Sequence, residues 1–316
     1  MPQLVTGSEG FIGCFLAEHL LDLGREVVCT YHNASELWRL EGVRDRVTLE
    51  PMDVRDADAV DGVMGRHRPS AVYHMAAKSL PAFSWEHPVL SLETNVLGTV
   101  NVMEAMGRHS PDADVLVACS SAEYGMVAEE DVPTTEDHPL LPLHPYGVSK
   151  VAQDLLAYQY HLNFGTRAFR ARIYNTTGPR KEHDVLSDFV QRVVAIERGD
   201  APARLRVGNL EPRRDFTDVR DLVRALTLLV ERGRPGKAYN IASGRVYRVS
   251  DLLDIILDLA KVEVEVVQDK GLMRPSDEPV IAGSNARLVE ETGWLAEIPI
   301  ETSIADMLEF WRSRPL

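Results

Sequence analysis

Cysteine is scarce in this chain of 316 residues, which contains only Cys14, Cys29 and Cys119. Their spacing matches neither a metal-binding motif nor a disulfide framework. We therefore expect three buried, unpaired thiols and no metal site. A chain without disulfides suits a reducing compartment, so the cytoplasm is the expected location.

Positive charge is also in short supply. The chain carries 34 Lys plus Arg against 48 Asp plus Glu, which gives a formal net charge of −14. Broad nucleic-acid binding needs a basic face, so this balance argues against nucleic acid as a partner. An anionic substrate must instead be met by a local basic pocket.

Long apolar runs are missing as well. None is long enough to cross a membrane, and strand-like sequence begins at Gln3, so we expect neither a membrane span nor a signal peptide. Apolar residues nevertheless make up 45% of the chain and charged residues 26%. That composition predicts a globular protein with a substantial core.

Short apolar segments alternate with longer helical patterns over the first part of the chain. The predicted strands are 3–6, 26–30, 47–51, 71–74, 115–120 and 167–174, and the predicted helices are 10–23, 56–67, 89–109 and 148–164. This rhythm predicts an α/β fold with a doubly wound parallel sheet of the Rossmann type. The strand at 115–120 is apolar throughout, as a sheet covered on both faces requires.

The pattern changes near Asn175, where loops lengthen and carry more Arg, Pro and Gly. The elements predicted beyond it are helices 186–198, 218–231, 249–259 and 304–312 and strands 238–241 and 263–267. We expect a cofactor-binding domain formed by 1–174 plus about 217–245. A smaller, interleaved α/β substrate domain is expected from about 175–216 plus 246–316.

Three glycines mark the turn from the first strand to the first helix. Gly7, Gly10 and Gly13 permit a tight turn and let a pyrophosphate approach the helix N-terminus, where free N–H groups stabilise negative charge. Phe11 and Ile12 belong to the same turn. This context predicts a dinucleotide site.

The end of the second strand bears on which dinucleotide is bound. An NAD site usually has an acid there, which accepts hydrogen bonds from the ribose 2′-hydroxyl. Residues 30–33 contain none, and His32, together with Arg39, is available for a 2′-phosphate. We therefore expect NADP rather than NAD, mainly because the acid is missing. A plain surface role for His32 stays open.

The ends of the third and fourth strands complete the expected cofactor site. Asp53, followed by Val54, is suited to accept the adenine amino group. Ala76 and Ala77 are small enough to let the nicotinamide ribose lie close, and Lys78 follows them.

Tyr146 and Lys150 are four residues apart at the start of a helix, so they share one face. A nearby ammonium favours phenolate, which predicts a lowered pKa for Tyr146 and a role in proton transfer at a carbonyl. Ser120, at the end of the fifth strand, can donate a hydrogen bond to the same oxygen. These three residues form the expected catalytic set. Tyr146 and Lys150 are also expected to bind the cofactor, with Lys150 holding the nicotinamide ribose.

The glycine turn with Ser120, Tyr146 and Lys150 resembles the extended short-chain dehydrogenase/reductase family over essentially the whole chain. The resemblance implies a Ser, Tyr and Lys catalytic set and a nucleotide sugar bound by the smaller region. It also implies a homodimer formed through helices 89–109 and 148–164. Asn95 matches a helix motif of the family and is expected at the cofactor site. Both a proton relay and a bond to backbone groups stay open for it.

Further segments resemble the subgroup of GDP-mannose 4,6-dehydratases and their partner reductases. By this resemblance Arg214 and Arg274 contact phosphate, because guanidinium suits bidentate phosphate binding, and Asp277 contacts the ribose. The expected substrate-side residues are Ser121, Glu123, Asn175, Val185, Arg214, Arg274 and Asp277.

The chain departs from the dehydratases at Ala122. Dehydratases carry a Glu two residues before a Tyr-Gly pair, where it removes the carbon-5 proton, and alanine cannot do so. Glu123 is one residue off, which in an extended chain turns it to the other face unless a bulge intervenes. Ser121 is at most a weak donor.

The resemblance is therefore closest to the reductases of the subgroup. It implies NADPH-dependent reduction at carbon 4 of a 4-keto-6-deoxyhexose linked to a nucleotide, with GDP favoured. A dehydratase or 4-epimerase on the same scaffold is the first alternative, and a non-catalytic NADP-sensing protein is the second.

Overall fold

The computed structural model describes residues 1–272 and 278–314. Its strands are β1 (Gln3–Thr6), β2 (Val27–Tyr31), β3 (Thr48–Pro51), β4 (Ala71–His74), β5 (Asp114–Ser120), β6 (Arg167–Ile173), β7 (Asn175–Thr177), β8 (Arg204–Val207), β9 (Arg213–Asp218), β10 (Ala238–Ile241), β11 (Val246–Arg248), β12 (Glu265–Gln268) and β13 (Val280–Ile281). Its helices are α1 (Phe11–Asp22), α2 (Ala57–His67), α3 (Pro81–Glu86), α4 (Pro88–Leu92), α5 (Gly98–His109), α6 (Pro145–Phe164), α7 (Val185–Arg198), α8 (Val219–Arg232), α9 (Val249–Asp258), α10 (Ala286–Thr292) and α11 (Ile300–Arg312).

Seven strands form one parallel sheet in the order β10-β6-β5-β4-β1-β2-β3. The strand order reverses between β1 and β4, and ligands of such sheets bind beyond the carboxyl ends of the strands at this point. The predicted doubly wound Rossmann architecture is confirmed.

Successive side chains of the central strands enter two different hydrophobic cores. Leu4 packs with α2 and α5, whereas Val5 packs with α1 and α8. Strand β5 divides in the same way, with Leu116 on one face and Val117 on the other. A strand buried on both faces must be apolar at every position, which explains the unbroken apolar runs.

A smaller region is built around β9. This strand pairs antiparallel with β11 and parallel with β7 and β13, while β8 and β12 form a separate parallel pair. A third hydrophobic core lies among α7, α9 and α11 and includes Leu186, Leu252 and Ile304.

The segment that contains α10 differs from the sequence prediction, which assigned all of 246–316 to the smaller domain. Leu288 and Trp294 pack in the same core as α1 and α8, and the Trp294 Nε1–H donates to the Asp221 carbonyl at 3.0 Å. A helix of only two turns carries too little periodicity to reveal which core it joins.

Two helix boundaries also differ. The predicted helix 89–109 is divided into α4 and α5 by a π-helical turn at Glu93–Leu97. Helix α6 begins at Pro145 rather than 148, because proline suits the first helical position and the His144 ring accepts the Gly147 N–H.

The three cysteines are buried thiols outside any disulfide, as predicted. Within residues 1–272 and 278–314, we found no helix with the length and apolarity needed to cross a membrane.

Candidate active site

The turn between β1 and α1 is packed so tightly that glycine is required. Gly7 has φ +64, and a Cβ there would lie 2.7 Å from the Ala76 Cα. A Cβ on Gly13 would lie 2.4 Å from the Gly7 carbonyl oxygen. Gly10 caps α1 without a side-chain hydrogen bond from any described residue, so the first N–H groups of the helix remain available to an anion. This geometry fits a dinucleotide pyrophosphate.

Phe11 and Ile12 form the first turn of α1, as the glycine pattern implied, and are partly buried. Ala76 and Ala77 lie beyond the carboxyl end of β4 and are partly exposed. Since Gly7 nearly touches Ala76, the loops after β1 and β4 are neighbours at the switch point. The structure therefore brings these expected cofactor residues together.

Glu9 is an acid near the end of β2 that the sequence analysis did not single out. Its Oε1 accepts the backbone N–H of His32 at 2.8 Å, and the half-exposed His32 ring lies 3.5 Å from the Asp53 carboxylate. An NAD site is expected to have its acid at the end of β2, about 20 residues after the glycine turn. In this protein an acid from the glycine turn itself, Glu9, reaches that place. The acidic residue between Gly7 and Gly10 is the sequence signal for it.

Arg39 does not lie free beside His32. Its side chain is almost buried and forms ion pairs with Glu36 and Glu182. The prediction that Arg39 pairs with a 2′-phosphate is therefore wrong in this structure, because its guanidinium already forms ion pairs with two carboxylates.

Asp53 also has a protein partner. Arg55 donates to both of its carboxylate oxygens, at 2.6 Å for the shortest contact, and this hydrogen bonding lowers the pKa of Asp53. Val54 is buried against α5, where a Cβ on Gly98 would lie 2.7 Å from its Cγ2. Contacts of Asp53 and Val54 with adenine stay predictions.

Asn95 is fully buried in the π-helical turn and has protein partners. Its Oδ1 accepts the Lys78 N–H at 2.7 Å, and its Nδ2 donates to the Lys78 carbonyl and to Ser149 Oγ at 2.8 Å. Direct cofactor binding by Asn95 is therefore corrected. Its side chain instead ties the loop after β4 to α6 and positions Lys78, which is the structural alternative left open by the sequence.

Ser120, Tyr146 and Lys150 meet beyond the carboxyl end of β5. Tyr146 is in the first turn of α6, and Lys150 follows one turn later with its Nζ 5.8 Å from the Tyr146 ring centre. The Ser120 side chain lies near the Tyr146 hydroxyl and favours the ionised form of the phenol. The Lys150 ammonium donates to the Ala118 carbonyl at 2.7 Å, and His144 stacks on the Tyr146 ring.

The expected lowering of the Tyr146 pKa is wrong in this structure. Burial raises the pKa of the hydroxyl to about 12, and the nearby Ser120 side chain opposes this only in part. Burial also lowers the pKa of Lys150 to about 8, because it disfavours the ammonium form. Tyr146 is therefore a protonated phenol at neutral pH, which is the form that a proton donor needs.

Glu123 was expected on the substrate side, and the structure corrects this. The 3-10 turn Ser121–Glu123 directs its side chain into the interior, where it is fully buried. Its Oε1 accepts the Ser120 N–H at 2.8 Å, and Oε2 lies 3.4 Å from the Arg172 Nε. Ser121 and Ala122 remain partly exposed.

The remaining substrate-side residues lie around β9. The Asn175 Nδ2 donates to the Asp215 carbonyl at 3.2 Å, and the Arg214 Nη1 donates to the Glu278 carbonyl at 2.7 Å. Arg214 lies on strand β9. Val185 begins α7 and is exposed. Arg274 and Asp277 lie outside the described residues.

The chain is similar to enzymes named for nucleotide sugars and to structures that contain NADPH or NAD. GDP-6-deoxy-D-mannose reductase of Pseudomonas aeruginosa is 33% identical over 311 residues, which cover 98% of this chain and 97% of that protein. The structure of RMD from Pseudomonas aeruginosa complexed with NADPH matches with a TM-score of 0.85 at 30% identity, over 100% of both chains. The UDP-glucose 4-epimerase of Thermus thermophilus in complex with NAD matches with a TM-score of 0.88 at 28% identity, over 99% of both.

The sheet order, the glycine turn and the Ser120–Tyr146–Lys150 set together define an extended short-chain dehydrogenase/reductase, as the sequence resemblance implied. Within this class, the chain belongs to the GDP-mannose 4,6 dehydratase family, whose profile matches residues 4–307.

Proposed function

We propose that this protein reduces the carbonyl at carbon 4 of a nucleotide-linked 4-keto-6-deoxyhexose with NADPH. The observation that carries the proposal is the contact between a buried, protonated Tyr146 and Ser120, with Ala122 where a dehydratase has its glutamate. The relative that is named a GDP-6-deoxy-D-mannose reductase supports the same reaction.

NADPH bound at the glycine turn supplies the hydride. Tyr146 donates its hydroxyl proton to the carbonyl oxygen as that oxygen gains charge, which converts the ketone to an alcohol. Ser120 donates a hydrogen bond to the same oxygen and orients it. Lys150 lies one turn away and contributes a positive charge that stabilises the Tyr146 phenolate left after transfer. A proton from solvent then returns Tyr146 to its phenol form.

The surroundings of Ser120 favour reduction over dehydration. Dehydration needs a base that removes the proton from carbon 5, and Ala122 has no group that can accept one. Glu123 does not substitute for that base, because it is fully buried and holds the Ser120 N–H. A dehydratase activity on this scaffold therefore lacks its proton acceptor.

We propose NADP(H) as the preferred cofactor, with His32 beside the 2′-phosphate. The relative structure complexed with NADPH supports this choice, while the NAD-bound epimerase marks the alternative. Glu9, which holds the His32 N–H, moderates the preference because a carboxylate repels a 2′-phosphate.

The nucleotide sugar is proposed to lie between the carboxyl end of β5 and the region around β9. Arg214 and Asn175 are the described residues proposed to face its diphosphate, with Val185 and Ser121 alongside. A GDP moiety is favoured by the name of the first relative. Arg274 and Asp277 retain their expected roles as phosphate and ribose contacts.

We also propose that the protein is a cytoplasmic homodimer. Val148, Leu155 and Leu162 recur every seven residues on α6 and are about half exposed or more. Val89 and Leu97, on and just after α4, are likewise exposed. A second copy that covers this apolar stripe would remove it from water. Sedimentation velocity tests this: a dimer is expected, and a monomer at micromolar concentration would contradict it.

The reaction is tested by mixing purified protein with NADPH and a GDP-linked 4-keto-6-deoxyhexose. One NADPH is expected to be oxidised for each sugar reduced. If the protein instead converts GDP-mannose to a 4-keto-6-deoxy product, or inverts carbon 4 of a UDP-sugar without consuming NADPH, the dehydratase or epimerase alternative is correct.

A further inference from the structure

The carboxylate of Glu123 lies directly behind Ser120. Its Oε1 accepts the Ser120 N–H at 2.8 Å, while the Ser120 Oγ accepts the Ala122 N–H at 3.2 Å. These reciprocal bonds form a capping box that fixes the backbone at the end of β5. The position of the serine hydroxyl therefore depends on a carboxyl group that substrate cannot reach.

The second oxygen of Glu123 is poorly compensated. Among the described residues, Oε2 has no hydrogen-bond partner, and its nearest cation is Arg172, at 3.4 Å. Arg172 is committed to Asp154 at 2.9 Å, and Arg170 pairs with Asp154 at 2.6 Å. Two guanidinium groups thus neutralise Asp154 first, and Glu123 shares only one of them.

Several titratable or charged groups on β5, α6 and β6 surround this carboxyl. They are Cys119, Tyr146, Lys150, Asp154 and Arg172, and Tyr124 joins them from the turn after β5. Burial, and next the charge of Asp154, raise the pKa of Glu123 to about 8, against the opposing effect of Arg172. Where Glu123 is ionised, towards the basic end of the pH range, its negative charge in turn raises the pKa of Tyr146 and of Lys150.

We propose that Glu123 is a positioning residue, which holds Ser120 for the carbonyl and whose ionisation at the basic end of the pH range helps Lys150 to keep its ammonium form. The inference rests on the proposed reduction for its kinetic consequence. The effect of Glu123 on the pKa of Lys150 does not depend on the proposed function, because it can be measured in the protein without substrate. Since Lys150 has a pKa of about 8, loss of its ammonium defines the basic limb of the activity profile.

The test begins with Glu123→Gln, which keeps the size of the side chain and an oxygen for the Ser120 N–H but removes the charge. The chain has six lysines, so the carbon-13 resonance of Lys150 Cε is assignable by comparison with Lys150→Met. We expect the Lys150 midpoint and the basic limb of kcat/KM to move to lower pH by about half a unit or more. The rate at the plateau is expected to change by less than about threefold.

A second variant separates positioning from charge. Glu123→Val removes the acceptor as well, so the buried Ser120 N–H loses its partner. We expect kcat on the plateau to fall by about tenfold or more, with a small change in KM. The matched control is Glu136→Gln, since Glu136 is also a buried acid that accepts a backbone N–H, from Asn240 at 3.0 Å. It is expected to leave the Lys150 midpoint unchanged.

Stability provides an independent measure of the same carboxyl. Folding raises the pKa of Glu123 from 4.5 to about 8. The protonated carboxyl therefore contributes fully to the free energy of unfolding below pH 4.5, and this contribution is lost as pH rises towards 8. The Tm of the wild-type protein should therefore fall more steeply over this range than that of Glu123→Gln.

An unshifted Lys150 midpoint in Glu123→Gln would overturn the proposal, and so would an equal shift in Glu136→Gln. If the midpoint shifts but the wild-type protein reduces no 4-keto sugar, the proposed function fails while the electrostatic role of Glu123 stands.

Discussion

The two halves of this protein place their functional groups by different means. The cofactor side uses backbone: at Gly7 and Gly13 a Cβ would collide with neighbouring backbone atoms at 2.7 and 2.4 Å. The proposed substrate side uses side chains, such as Arg214 and Asn175, which donate hydrogen bonds to carbonyls around β9. A site built from backbone is easy to recognise in a sequence, because only glycine satisfies its geometry. A site built from side chains is hard to recognise, because arginine also has many other roles on a protein surface.

The largest expected effect is on the chemistry that joins the two halves. Tyr146→Phe removes the proton donor but keeps the ring that packs on His144, so the fold should persist. We expect kcat to fall by about 10²–10⁴-fold with NADPH binding little changed. Tyr158→Phe is the control, since Tyr158 is an exposed residue of the same helix. A Tyr146→Phe enzyme with wild-type kcat would contradict the assigned role.

A glycine substitution tests the backbone side. Gly7→Ala places a methyl group against Ala76 at a position with φ +64, so we expect NADPH affinity to fall by tenfold or more, about 1.4 kcal/mol. Gly24→Ala is a matched control, because its φ is +72 and no described atom lies within 4 Å of the added Cβ. It should cost only about 1–2 kcal/mol of stability and leave NADPH affinity unchanged. Isothermal titration measures the NADPH affinity of both variants, and thermal melts measure their stability. Equal losses of NADPH affinity in the two variants would contradict a cofactor site at the glycine turn.

The side-chain half is tested at Arg214. Arg214→Ala is expected to raise KM for the nucleotide sugar by about tenfold while the Kd of NADPH stays the same, because a charged hydrogen bond to phosphate is lost. Arg204→Ala provides the comparison, as Arg204 is an exposed residue paired with Glu265 on the separate β8–β12 pair. An unchanged KM in Arg214→Ala would remove this residue from the substrate site.

The smallest effect is expected at Glu9, which belongs to the glycine turn but acts through its side chain. Glu9→Gln removes a negative charge next to His32, so the ratio of kcat/KM for NADPH over NADH should rise by about threefold to tenfold. Glu26→Gln, at the exposed opposite end of β2, serves as the control. A fall in the ratio would show that Glu9 supports NADPH instead of opposing it.

This contrast also explains how far the sequence could be interpreted. The large sheet and the glycine turn were predictable because both depend on short segments of sequence. Apolar strands alternate with helical patterns, and the tight turn after β1 accepts only glycine at Gly7 and Gly13. The position of Leu288 and Trp294 was not predictable, since their contacts join distant segments.

Within the site, local rules failed where burial decides. Four-residue spacing correctly predicted that Tyr146 and Lys150 share a face, but not that burial would raise the pKa of the phenol. The direction of the Glu123 side chain depends on a 3-10 turn that follows β5, and no alternation rule for strands applies to it. Asn95 likewise gained its partners from the loop after β4 and from α6.

The proposed reduction at carbon 4 can be tested by following the hydride itself. NADPH carrying deuterium at the transferred position of its nicotinamide is incubated with the protein and a GDP-linked 4-keto-6-deoxyhexose, and the product is analysed by nuclear magnetic resonance. One deuterium is expected at carbon 4 of the sugar for every NADPH oxidised, and this transfer should be lost in Tyr146→Phe. Product that forms without NADPH, or that carries no deuterium at carbon 4, would contradict the proposed reduction.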